Sequence, residues 1–237
     1  MYENWSVRRA DDFEDTQAIL SFLLDEFVRI FGRSVMLYEP CEVYNDSSAP
    51  CPRFLHSAPM RIRLSMSRLS LWSKTIFQLS HEMCHYAMHR TKKDKTVFLS
   101  WFEEIVCEAM ALYCMEYASE NWDRCDLSRY NRRFAEYHRE YLEDALADPF
   151  DDGFKRCNSV EKMKEYERSR SPESNRSSHK LEADIIYRAI SADPLALKCV
   201  LNYTEYIGSD GITIDFDRWL ENSPCDLLRY LKWVQPV

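Results

Sequence analysis

Glycine is scarce in this chain. Only 4 of its 237 residues are Gly and 9 are Pro, too few for a β-sandwich or a doubly wound fold built on many tight glycine turns, so composition favours a mostly helical globular protein. No long basic block occurs and the net charge is −8, which argues against nucleic acid or an anionic membrane as the main partner. No apolar run approaches membrane-spanning length, and the opening MYENWSVRRADDFEDT has no basic-then-apolar signal segment. The nine cysteines are odd in number, and none forms a CxxC pair. Reduced thiols in a cytoplasmic protein are the simplest account.

What the chain has instead is apolar mass: 46% hydrophobic and 14% aromatic residues. That is core enough for one large domain, or for a catalytic unit with a helical extension. Residues 11–31 place Phe13, Ala18, Ile19, Phe22, Leu23, Phe27 and Ile30 at helical spacing after an acidic start, and Gly32 is expected to end that helix. SVMLYEP and CEVYND read as short strand-like pieces and SSAPCPRFLHSAP as loop. Residues 60–66 alternate, with Ile62, Leu64 and Met66 on one face and Arg61, Arg63 and Ser65 on the other, which predicts a short half-buried strand. Helices are expected over about 70–89, 97–118 and 126–147, and short ones after residue 180. The polar, serine-rich stretch 167–180 reads as a mobile loop. The fold class expected is α+β, predominantly helical, with a core over 1–120 and a helical region over 121–237 closing or extending it.

Within the expected helix at 70–89 sits HEMCH, residues 81–85. Imidazoles and a carboxylate are costly to bury without partners, so either these groups are half exposed or something occupies the space between them. Residues i and i+4 lie about 40° apart around a helix and roughly 6 Å apart along it. His81 and His85 therefore point the same way, close enough to share one zinc ion. Glu82 lies to the side, where it reaches a water at the metal rather than the metal itself, as a general base does. Cys84 falls on the opposite flank. A third ligand is available on the next helix, WFEEIVCEAMA, where Glu104 and Glu108 share a face and Glu103 is turned about 100° away.

HEMCH, 18 residues, then Glu104 resembles the gluzincin branch of zinc metallopeptidases, HExxH-x18-E, and WFEE at 101–104 is similar to the WLNE of its aminopeptidase members. The resemblance spans about residues 60–118. It implies a zincin-like sheet with an active-site helix and a glutamate-bearing helix. It also implies Zn2+ on His81, His85 and Glu104, Glu82 as catalytic base, and a peptide or protein substrate. Glu108 then matches the acid that orients a ligand histidine, and strand 60–66 the edge strand along which a substrate pairs. HEMCHYAMH and EAMALY are also similar to small cytoplasmic regulatory peptidases, an alignment that makes Glu108 the third ligand. The Gly-rich anchoring motif of the exopeptidase members is absent. His138, Tyr137, Tyr141, His179 and Tyr166 are the candidates for an oxyanion-stabilising group. Two other readings stay open: a catalytically silent zinc-binding regulatory protein, and a helical interaction module in which HEMCH is coincidental.

Overall fold

The computed structural model describes residues 2–8, 13–147, 151–170 and 178–237, apart from the side chain of residue 13. It is α+β and predominantly helical. The chain divides into two compact units, one of residues 1–87 with 110–148 and the other of residues 88–109 with 149–237.

The first unit contains the sheet. Strands β1 (Trp5–Val7), β2 (Cys41–Asn45) and β4 (Met60–Leu64) run parallel, and β3 (Arg53–Leu55) closes the order β1-β2-β4-β3 antiparallel to β4. Alternation sends Trp5, Val7, Cys41, Val43, Met60, Ile62 and Leu64 into the core. Helix α1 (Phe13–Phe31) begins with Glu14 and Asp15 in its first turn, favourable to the helix dipole, and buries Ile19, Leu23, Phe27 and Ile30. Gly32, at φ 93°, ends it. Position 11, where the helix was expected to begin, lies outside the described residues.

The SVMLYEP stretch is not a strand. Its first half is a helical turn, α2 (Arg33–Met36), because the Gly32 carbonyl accepts from both Val35 and Met36 N–H, and the Trp5 indole N–H then holds the Met36 carbonyl at 2.6 Å. Strands β1 and β3 were not expected. At three residues each they are too short to show a period, and β3 lies in a Pro-containing stretch that reads as loop.

Helix α3 (Trp72–Thr91) follows β4 and is tied to it by side chains that meet backbone groups. The Gln78 carboxamide accepts from Ser65 N–H at 3.0 Å and donates to Ser65 O at 3.2 Å. Thr75 Oγ1 donates to the Leu69 and Leu71 carbonyls, and Trp72 Nε1 to Asp15 on α1. Helix α4 (Ser100–Asn121) joins α1 through a buried network in which Arg29 and the Tyr113 hydroxyl both donate to Glu26.

The expected third helix is shorter than its pattern. Residues 126–129 form a 3-10 turn, and α5 runs only Phe134–Ala147, restarted by an Asx turn in which Asn131 Oδ1 accepts from Arg133 N–H.

The second unit adds α6 (Val160–Ser169), α7 (Lys180–Ala192), a 3-10 segment Pro194–Tyr206, α8 (Phe216–Asn222) and α9 (Asp226–Val234). The 167–180 stretch enters this unit as the end of α6 and the start of α7. Positions 171–177, the centre of the expected loop, lie outside the described residues. No helix of the described residues is long and apolar enough to cross a membrane.

His138 of α5 is fully buried against Trp122, with Ser73 Oγ 2.9 Å from its Nδ1. Burial pushes its pKa down from 6.5 to about 4. The unfolded chain therefore binds a proton that the folded one refuses, and stability is lost as pH falls from about 6.5 toward 4, by at most roughly 3 kcal/mol. Urea midpoints at pH 7.5 and 5 are expected to differ more in the wild type than in His138→Phe. Equal shifts in the two proteins contradict this assignment.

Candidate metal centre

Helices α3 and α4 carry every residue of the expected centre. His81 and His85 stand one turn apart on α3, their ring centroids 5.1 Å apart and inclined at 61°. His81 is buried and His85 half-buried. Glu104 of α4 meets them: one ligand atom from each of His81, His85 and Glu104 lies within 4.8 Å of the others. Atoms bound 2.0–2.2 Å from a tetrahedral ion stand about 3.4 Å apart, so small side-chain rotations close this group on an ion. Two imidazoles and one carboxylate also suit a borderline metal such as zinc. The donor set fits.

Glu108 is buried one turn beyond Glu104, and it is not a member of the three-residue group. Cys84 and Cys107 are core residues. His89, which continues the His81–His85 face, is half-buried in the last turn of α3, where a cation suits the helix dipole.

Glu82 is not one of the three grouped residues. It is buried, and its Oε2 accepts the Phe54 backbone N–H of β3 at 2.7 Å. A sheet amide thus fixes the orientation of the one carboxylate in the HEMCH turn. No pattern in the sequence signals this bond, because it depends on a three-residue strand reaching the helix.

Strand β4 does not have an edge position. It pairs with β2 on one side and β3 on the other, so β3 is the terminal strand next to Glu82. Arg61 and Arg63 are half-buried, and Arg63 donates to the Cys51 carbonyl at 3.2 Å.

Of the residues considered for an oxyanion role, three are engaged elsewhere. His138 is the core residue described above. His179 Nε2 meets Glu167 at 3.0 Å, and Tyr166 donates to Asp151 and to Ser178 O. Tyr137 is exposed on α5. Tyr141 packs against Phe77, four residues before His81 on the same face of α3, with ring centroids 5.5 Å apart.

No protein-family model, curated protein or solved structure matches this chain.

The geometry distinguishes the two acids of α4. Elemental analysis of the purified protein is expected to find about one zinc per chain, lost in Glu104→Ala and kept in Glu108→Ala. Loss confined to Glu108→Ala would move the third ligand one turn along the helix.

Proposed function

We propose that this protein is a zinc-dependent metallopeptidase of gluzincin type. The observation that carries the reading is the convergence of His81, His85 and Glu104, beside which Glu82, in the same helical turn, has its carboxylate oriented by the Phe54 amide. Three ligands with a fourth position left for substrate or water are what a catalytic zinc needs, whereas structural zinc sites fill all four positions with protein.

Bound there, zinc supplies Lewis acidity that polarises a peptide carbonyl and makes a water more acidic. Glu82 accepts a proton from the attacking water and returns it to the leaving amine. Attack by water needs no Ser or Cys nucleophile. The Phe54 N–H keeps the Glu82 carboxylate in one rotamer through both transfers. His81, His85 and Glu104 would hold the ion, and burial of His81 and Glu82 keeps bulk water from competing for the proton.

An extended peptide or protein segment is the substrate class in this reading. Strand β3 ends the sheet beside Glu82, and a terminal strand is where an extended chain adds by backbone pairing. The nine cysteines are free thiols, in keeping with work in the reducing cytoplasm.

A zinc-binding regulatory protein without turnover is the second reading. What favours it is the commitment of His138, His179 and Tyr166 to partners of their own. Glu82→Gln separates the two. If the protein is an enzyme, that variant keeps its zinc and loses peptide hydrolysis by about 10²–10⁴-fold. Zinc at full occupancy with no cleavage of a broad peptide library by the wild type would favour the regulatory reading instead.

A further inference from the structure

The connection between α3 and α4 is gripped by the C-terminal part of the chain. Thr91, the last residue of α3, donates from Oγ1 to the Leu201 carbonyl at 2.7 Å. Leu99, just before α4, donates its N–H to the Tyr203 hydroxyl at 3.3 Å. The same hydroxyl donates to the Glu103 carboxylate, which also pairs with Lys92, the first residue after α3. The Lys92 ammonium stands 5.7 Å from the Tyr203 ring centroid and 5.8 Å from that of Phe98. One residue earlier on α4, Phe102 packs on Tyr203 with centroids 4.7 Å apart, and before it Trp101 donates its indole N–H to the Ile212 carbonyl at 2.7 Å.

Three consecutive residues of the first turn of α4, Trp101, Phe102 and Glu103, are therefore each pinned to the segment 203–212, and the next residue is Glu104. A helix advances 1.5 Å and 100° per residue, so pinning three successive positions leaves the fourth no freedom of rotation or rise. The Lys92 and Glu103 side chains are only 4% and 10% exposed. Buried ion pairs add little net stability over apolar residues of similar size, so stability alone does not account for this one. Fixed geometry does. Burial, then the Glu103 carboxylate, raises the pKa of the Tyr203 hydroxyl, which keeps it a donor.

We propose that Tyr203, acting through Glu103 and Lys92, is a positioning residue for the metal centre: it sets the register of α4 so that Glu104 reaches the ion held by His81 and His85. The inference rests on the zinc reading above.

The test is the zinc dissociation constant of the full chain, measured by competition with a chromophoric chelator, beside the thermal midpoint of the metal-free protein. Tyr203→Phe keeps the ring and removes one oxygen. It is expected to weaken zinc binding roughly tenfold, as loss of outer groups that orient ligands does. Lys92→Met/Glu103→Leu removes acceptor and cation together without leaving a buried charge, and is expected to show the same loss. It carries the test if Tyr203→Phe does not fold. Tyr206→Phe takes a hydroxyl from a ring stacked on Trp219 outside the network, and should bind zinc as the wild type does. A lower midpoint with unchanged zinc affinity in Tyr203→Phe and in the double variant makes the network merely structural and overturns the proposal. A wild-type chain that binds no zinc overturns the zinc reading itself, and the proposal with it.

Discussion

Everything in the candidate centre depends on one constraint: a helix that carries polar groups into an apolar interior must be met, group by group, by partners placed elsewhere. Helix α3 buries Thr75, Gln78, Ser80, His81 and Glu82 along barely two turns. Thr75 and Ser80 satisfy themselves on nearby carbonyls, Gln78 takes both backbone groups of Ser65, and Glu82 takes the Phe54 amide. These bonds leave α3 one seat against the sheet. An unmet amide or carboxylate in that interior would cost on the order of 1–3 kcal/mol or more, so any slip of the helix along β4 is penalised at several places at once. The imidazoles inherit their direction from that seat.

How much of this could be read beforehand follows from which interactions are local. The i, i+4 spacing of His81 and His85 is a property of any helix, and so is the shared face of Glu104 and Glu108. Strand 60–66 announced itself because one of its faces is buried and the other is not. What stayed hidden depends on contacts distant in sequence. Nothing in RFL at 53–55 says strand, because β3 owes its existence to β4 on one side and to the Glu82 carboxylate near it. Glu103 could be placed on a different face from Glu104, but its partners Lys92 and Tyr203 come from before the helix and from a hundred residues later. DPLALKCVLNYTEY has a helical apolar pattern and yet forms a 3-10 segment with a break at Asn202, since pattern alone does not separate the two helix types.

Helix α4 carries a similar device twice. Toward its start, Glu103 accepts from a tyrosine and pairs with Lys92. Further along, Tyr113 and Arg29 converge on Glu26 of α1. In each case a buried carboxylate meets a phenol and a cation, an arrangement that demands one relative position of the elements that supply the donors. Apolar packing tolerates sliding by a fraction of a residue; these networks do not. A centre assembled from two helices gains from rigidity of that kind, because a ligand displaced by an ångström no longer binds.

The division of the chain into units has a consequence for how such a protein can be inherited or rebuilt. The chain passes between units at 87/88, 109/110 and 148/149, and the first two passages fall inside α3 and α4. A boundary that runs through helices offers no linker at which a gene fusion, a duplication or an exchange of halves could join. Neither unit is a contiguous segment of the gene, so exchanging one unit for another would need joints inside both α3 and α4.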